Sequence, residues 1–301
     1  MPRIINTVLI GGGSGFIGSA LTNLLRAKGY DVIVVSRMPG PQRISWNDLA
    51  ESRLPQNVTA VVNLAGQNVL DPTRRWTPGF QQNVWASRVN TTASLAQAIV
   101  KAASKPKVFI TISGVGIYKP SSSEEYDEDS DLTAFDFLSR LCHKWEEGGQ
   151  LPAGTGVRQV TVRSGVVLGK YGGMIRQLYV PFYMGLGGPI ASGKQFLPWI
   201  HIDDMANLLA FAIENDKVQG VLNGVAPQVV TNKEFTDAFA KALWRPAFIP
   251  LPEFAVKLAF GEERAKMMTE GQKVIPKRTL EYGFKYEYPD INSALSAVVA
   301  Q

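Results

Sequence analysis

The chain begins with a strand–helix–strand pattern. Residues 7–10 are a short apolar run, which predicts a buried strand. Apolar residues then recur at helical spacing over residues 17–25, and Gly29 is predicted to end that helix. A second apolar run at residues 31–35 predicts another strand. Two strands joined by a glycine turn and a helix make a βαβ unit.

The alternation continues beyond this unit. Further strands are predicted at residues 44–46, 58–64, 108–112 and 157–167. Helical spacing falls between and after them, at residues 95–102, 135–147 and 205–214. Strands that alternate with helices indicate an α/β fold with a doubly wound parallel sheet, the Rossmann fold.

After Leu168 the chain becomes rich in glycine and proline. We therefore predict a nucleotide-binding Rossmann domain over residues 1–168, with a return segment at 196–215. The rest of residues 169–301 is predicted to form a smaller, substrate-side C-terminal lobe. Within it, Thr231 and Glu234 form a capping box that predicts a helix start.

The loop after the first strand carries Gly12, Gly15 and Gly18 at the spacing of a dinucleotide-binding fingerprint. Glycines there allow a tight turn, close approach of the backbone to a pyrophosphate and close packing of helix on strand. The helix N-terminus then presents amides to the phosphates. The alternative is a glycine turn with no ligand, but the βαβ context favours the nucleotide site.

The end of the second strand predicts which nucleotide binds. NAD sites usually place an acidic residue there for the ribose hydroxyls. This chain has Ser36 and Arg37 instead, and a hydroxyl with a guanidinium suits a 2′-phosphate. We therefore predict NADP as the cofactor. The alternative is that Arg37 is a solvated loop residue.

Two further segments are predicted to border the same cleft. Asn63, Leu64 and Ala65 end a buried strand, where small residues would let the backbone approach the adenosine. Arg88 precedes the next helix, within reach of the nucleotide. A surface ion pair is the alternative for Arg88.

Composition excludes several other functions. The 301 residues are 45% apolar and 19% charged, as in a globular protein. One cysteine, Cys142, and two histidines exclude a disulfide framework and leave little for a metal site, so no metal is predicted. The net charge of +5 is dispersed, which argues against nucleic acid or a membrane surface as partner. Without an apolar span or an evident presequence, a cytoplasmic location is favoured, with a mitochondrial one left open.

Several motifs together resemble a known family, the extended short-chain dehydrogenase/reductases, or NAD-dependent epimerase/dehydratases. The resemblance is carried by the glycine loop, by the Asn63 segment, by Ser113 after the central strand and by residues 198–204. Residues 163–169, 222–227 and 270–276 match more narrowly the atypical epimerase family protein subgroup. The resemblance implies an NADP-binding Rossmann core and a homodimer. It also implies that the backbone at Phe16, Ile17 and Val167 contacts the cofactor.

The catalytic residues of that wider family are not found. Its members use a Tyr-x-x-x-Lys pair, in which lysine lowers the tyrosine pKa for acid–base chemistry. No tyrosine here has lysine four residues later, and Leu138 and Cys142 stand at the two positions. Ser113 and Tyr118 remain as candidates for a chemical role.

Two functions from different classes stay open. The first is an NADP-dependent oxidoreductase or epimerase-like enzyme acting on a small molecule. The second is a catalytically silent NADP(H)-binding redox sensor or regulatory protein. The acidic residues 124–129 are interpreted as a solvated surface, and His201 as a core histidine.

Overall fold

A computed structural model of the chain describes residues 6–37, 40–52 and 54–301. The first five residues of the predicted Rossmann domain lie outside this part. Seven strands form one parallel sheet in the order β3-β2-β1-β4-β5-β7-β10. They are β1 (Thr7–Gly11), β2 (Asp31–Ser36), β3 (Arg43–Ser45), β4 (Val58–Asn63), β5 (Val108–Gly114), β7 (Arg158–Ser164) and β10 (Gly220–Gly224).

Helices cover both faces of this sheet, as predicted for a doubly wound fold. One face carries α1 (Phe16–Ala27) and α7 (Ile202–Glu214), and the other carries α2 (Trp46–Ser52), α4 (Val89–Lys101) and α5 (Phe137–Gly148). Alternate residues of β1 serve the two faces: Val8 and Ile10 pack with α1, whereas Leu9 packs with α4. Strands buried on both faces give the continuous apolar runs seen in the sequence.

The last strand of the sheet lies outside the predicted Rossmann boundaries. β10 pairs with β7 from Gly220 to Gly224, beyond the return segment at 196–215. The predicted strand at 157–167 is also divided, because Gly165 separates β7 from β8 (Val166–Leu168). β8 leaves the main sheet and pairs with β9 (Trp199–His201). Spacing along the chain does not show which sheet a strand joins.

A second core lies in the C-terminal lobe, where Phe182, Phe235, Phe239 and Leu295 pack together. The capping box at Thr231 is present and starts α8 as predicted. The remaining helices are α3 (Pro78–Ala86), α6 (Gly173–Tyr183), α8 (Asn232–Leu243), α9 (Glu253–Phe260), α10 (Glu262–Thr269), α11 (Lys277–Glu281) and α12 (Ile291–Ala300), and β6 (Glu125–Tyr126) pairs with β11 (Lys273–Val274). Among the described residues, no helix is long and apolar enough to cross a bilayer.

Candidate cofactor and substrate site

The glycine loop forms a cradle at the carboxyl end of β1. Gly12 has a φ of +73°, and a Cβ there would lie 2.8 Å from the Ala65 backbone. A Cβ on Gly18 would lie 2.2 Å from the Gly12 carbonyl oxygen, so only glycine lets α1 pack this close. Gly15 precedes α1 without any side-chain cap on the first helical amides. These amides are the groups that hold a pyrophosphate in dinucleotide-binding folds.

Phe16 and Ile17 begin α1, and Phe16 contacts the chain after β8. Its ring fills the space beside Gly169 and Gly172, where a Cβ on Gly172 would lie 2.3 Å from the ring. The carbonyl of Val167 faces Gly173 in the same turn, 3.0 Å from a Cβ placed there. The predicted backbone contacts at Phe16, Ile17 and Val167 are therefore brought to one side of the cradle.

Asn63 shapes the loop at the end of β4. It is fully buried; its Nδ2 donates to Thr92 Oγ1 at 2.7 Å, and its Oδ1 accepts from the Ala65 amide at 3.2 Å. The Leu64 amide donates to the Gly11 carbonyl at 2.8 Å. These bonds fix the backbone of Leu64 and Ala65 against Gly12. Asn63 thus contributes by positioning the loop, and its side chain is occupied within the protein.

A polar cavity of about 450 Å³ lies beside this loop, and we call it the arginine cavity. Arg37, which the sequence predicts to bind the cofactor, lines this cavity. Ser36, the residue before Arg37, is buried at the end of β2. The other lining residues include Gln67, Arg74, Phe80, Asn83 and Ser87. Arg74 was missed in the sequence because it lies in an irregular segment, where no spacing relates it to Arg37.

A second cavity of about 250 Å³, mostly apolar in its walls, is lined by Arg88, and we call it the apolar cavity. Its walls come from both parts of the fold, because Gly114 ends β5 and Lys266 belongs to α10. The face of α5 contributes Leu138, Cys142 and Trp145. This is where the family tyrosine and lysine would stand. In this chain the wall has no phenol there.

Two adjacent residues, Ser87 and Arg88, line different cavities, and we call this pair the junction. Ser87 lines the arginine cavity, and the next residue, Arg88, lines the apolar one. Its Nη1 donates to the Val84 carbonyl at 3.2 Å, and it lies over the Trp145 ring. Burial lowers the pKa of Arg88 to about 10. The surface ion pair considered for Arg88 is not formed with any carboxylate in the described part of the chain.

Cys142 is buried, and its burial raises the pKa of the thiol to about 11. It is therefore a neutral thiol at physiological pH. Ser113, at 2% exposure, lies beside this thiol, but its Oγ makes no regular hydrogen bond within the described residues. Ser113 is the penultimate residue of β5, and the last residue, Gly114, lines the apolar cavity.

Tyr118, the other candidate for a chemical role, does not line either cavity. It is 1% exposed, and its hydroxyl bonds to Asn223 Oδ1 at 2.8 Å and accepts from Arg163 Nη1 at 2.9 Å. Arg163 in turn forms a bidentate pair with Glu146, at 2.9 and 3.0 Å. Burial raises the pKa of Tyr118. Its place in this network is a structural one.

The acidic segment 124–129 is less solvated than we expected from its sequence. Glu128 is buried, and its carboxylate accepts from the amides of Asn223 and Arg278 at 2.9 and 3.0 Å. No cluster of three potential metal ligands occurs among the described residues. His201 is fully buried, with its Nδ1 accepting from the Asp203 amide at 3.2 Å.

The fold and this site define a dinucleotide-binding protein of the short-chain dehydrogenase type. Residues 8–223 match the model of the NAD dependent epimerase/dehydratase family, and the chain belongs to that family. Residues 251–298 match a domain of unknown function, DUF1731. The prediction of family and fold from the sequence is confirmed.

Close relatives support the narrower subgroup. The chain is 55% identical to the epimerase family protein SDR39U1 of Homo sapiens over 97% of this chain and 99% of the relative. It is 36% identical to the epimerase family protein YfhF of Bacillus subtilis over 96% of both chains. A crystal structure of human SDR39U1 (isoform2) with NADPH superposes with a TM-score of 0.96 and 54% identity, covering 98% of this chain and 99% of that chain.

Proposed function

We propose that this protein binds NADP(H) and acts as an oxidoreductase or epimerase-like enzyme on a small molecule. The observation that carries the proposal is the junction, at which Ser87 lines a cavity that also contains Arg37, whereas Arg88 lines a mostly apolar one. Gln67, two residues after the Ala65 that packs against Gly12 of the glycine cradle, lines the first of these cavities. The NADPH in the related human structure supports the choice of cofactor.

The residues present fit a dinucleotide with a 2′-phosphate. The cradle of Gly12, Gly15 and Gly18 would hold the pyrophosphate, because added Cβ atoms would obstruct it or misplace α1. Ser36 and Arg37 would hold the adenosine 2′-phosphate, since no carboxylate stands at the end of β2 to repel it. When bound, the cofactor supplies hydride transfer.

The apolar cavity is suited to the body of a small substrate. Leu138, Trp145 and Val166 offer apolar contacts and exclude water from it. Arg88, at the junction, offers guanidinium N–H groups beyond the one bonded to Val84. It would orient an electronegative group of either ligand. A proton donor other than tyrosine is required, because α5 presents Leu138 and Cys142.

A second candidate function is favoured by that same wall. The glycine cradle is intact, whereas Leu138 and the neutral, buried thiol of Cys142 stand where the catalytic pair of the wider family would be. This combination is expected of a protein that binds NADP(H) as a sensor and catalyses no reaction. Such a protein would bind the cofactor without turnover and engage a partner in one redox state only.

Fluorescence titration of the purified protein with NADPH and NADH, followed by a turnover panel of carbonyls and alcohols, separates these functions. The enzyme predicts NADPH-preferring binding and cofactor turnover with at least one substrate. Tight NADPH binding with no turnover, and a partner recovered only with NADPH present, supports the sensor. Failure to bind either cofactor contradicts both proposals.

A further inference from the structure

Two arginines from separate loops line the arginine cavity. Arg37 follows β2, and Arg74 lies in the segment between β4 and α3. Both are exposed residues, and neither forms an ion pair in the described part of the chain. An exposed arginine without an acidic partner keeps its guanidinium N–H groups for solvent or for a ligand.

The segment that carries Arg74 is held in place. Asp71 Oδ1 accepts from the Thr73 amide at 2.9 Å and from Thr73 Oγ1 at 2.7 Å, and the Arg74 amide donates to the Asp71 carbonyl at 3.2 Å. The Asp71 carbonyl also accepts from Arg264 Nη1 at 3.1 Å. The Asp71 carboxylate is thus hydrogen-bonded by Thr73 while its charge also interacts with Arg74, and the backbone beneath Arg74 is anchored to α10.

The rest of the cavity wall carries no acidic residue. Gln67, Asn83 and Ser87 supply polar groups, and Phe80 and Ala86 supply the apolar part. The Gln67 amide is itself fixed by Ser87 Oγ at 2.9 Å. Two arginines lining one cavity match the charge of a phosphate monoester, which carries up to two negative charges and offers three acceptor oxygens.

We propose that Arg74 is a second ligand of the 2′-phosphate of NADP(H), gripping it together with Arg37. The proposal rests on the NADP(H) binding argued above and adds a determinant of specificity from outside the βαβ unit. The phosphate would bridge the end of β2 and the segment before α3. NADPH would then bind directly to the segment before α3 through Arg74, whereas NADH, which has no 2′-phosphate, would make no bond to Arg74.

The neighbouring Arg75 provides a matched control. It has the same charge and lies in the same exposed segment, but it does not line the arginine cavity. A general effect of positive charge on an anionic nucleotide would be shared by Arg74 and Arg75. A direct contact with the 2′-phosphate would be specific to Arg74.

The test is calorimetric titration of the full-length protein with 2′,5′-ADP and with 5′-AMP, which differ only in the 2′-phosphate. Wild type, Arg37→Gln, Arg74→Gln, Arg74→Lys and Arg75→Gln are compared, with thermal unfolding as a check on folding. We expect Arg74→Gln to weaken the binding of 2′,5′-ADP about tenfold, the size of one charge-assisted bond at an exposed site, and to leave the binding of 5′-AMP unchanged. Arg74→Lys should recover part of the loss, and Arg75→Gln should change neither ligand.

Equal losses in Arg74→Gln and Arg75→Gln, or equal losses for both nucleotides, would overturn the role of Arg74 while leaving NADP(H) binding intact. If the wild-type protein does not prefer 2′,5′-ADP, the 2′-phosphate site itself is wrong, and the proposed cofactor fails with it. The two failures are therefore distinguishable in one experiment.

Discussion

The guanidinium of Arg88 lies 5.1 Å from the ring centroid of Trp145, over its face. Both residues line the apolar cavity, as does Cys142, whose thiol is within electrostatic reach of Arg88. A cation is therefore already placed near the position where the wider family carries its lysine. The electrostatic environment of this site differs from that of a Tyr-x-x-x-Lys enzyme, because Arg88 forms no ion pair within the described residues and the charge of Glu146 also acts on Cys142.

Cys142→Lys is expected to destabilise the fold by about 3 kcal/mol or more, since it places an ammonium group at a buried position near the guanidinium of Arg88. Glu146, whose charge also acts on this position, is already paired with Arg163. Urea unfolding measures this, with Cys142→Ala as the control that removes the thiol without adding charge. If Cys142→Lys unfolds at the same urea concentration as Cys142→Ala, the nearby charge of Arg88 does not explain why this chain has no lysine at position 142.

Gly18→Ala tests the glycine cradle. The new Cβ would lie 2.2 Å from the Gly12 carbonyl oxygen, so α1 must shift away from the loop. We expect a loss of about 1–3 kcal/mol in the free energy of unfolding and loss of NADPH binding. Gly79→Ala is the control, because a Cβ on Gly79 meets nothing within 4 Å. Unchanged NADPH affinity in Gly18→Ala would contradict the cradle as the pyrophosphate site.

Arg37→Glu tests the choice of nucleotide. A carboxylate at the end of β2 repels a 2′-phosphate and accepts ribose hydroxyls. NADPH binding should weaken by at least about 100-fold, and NADH binding should stay the same or improve. Fluorescence titration with both cofactors measures the ratio. Equal losses for NADPH and NADH would refute the assignment of Arg37.

Tyr118→Phe separates a structural role from a chemical one. Removing the hydroxyl leaves Asn223 Oδ1 and one N–H of Arg163 without a bond, which should cost about 1–3 kcal/mol of stability. The dissociation constant for NADPH should stay within about twofold, because Tyr118 lines neither cavity. Loss of turnover at unchanged stability would instead assign Tyr118 a part in the chemistry.

His201 predicts a pH dependence of stability. Burial lowers its pKa from 6.5 to about 4, so the unfolded chain takes up the proton first as the pH falls. Neutral His201 therefore contributes fully to the free energy of unfolding above pH 6.5. This contribution, up to about 3 kcal/mol, is lost as the pH falls towards 4. The Asp203 carboxylate lies 3.6 Å from His201 Nδ1, so the comparison below uses a variant that leaves Asp203 unchanged.

That variant is His201→Asn, which keeps a side-chain acceptor for the Asp203 amide and removes the titration. Unfolding free energies measured from pH 7 to pH 4 should fall less steeply in His201→Asn than in the wild type. Parallel curves would show that His201 does not titrate as inferred.

The local pattern of the chain determined the nucleotide-binding half of the site. Gly12, Gly15 and Gly18 could be predicted because their spacing follows from a turn and a helix that are adjacent in sequence, and Arg37 because it directly follows the next strand. The parallel sheet followed from apolar runs that alternate with helices. In each case the determining interactions lie within one βαβ unit.

Tertiary packing decided the rest. Arg74 and Arg37 line one cavity because of how the segment after β4 folds relative to β2, and no spacing in the sequence encodes that arrangement. Tyr118 was placed away from the apolar cavity by Arg163 and Asn223, which come from β7 and β10. Glu128 belongs to an acidic run but is buried, because backbone amides distant in sequence donate hydrogen bonds to its carboxylate. Long-range pairing of buried polar groups depends on the assembled fold, whereas strand and helix periodicity depends on the chain alone.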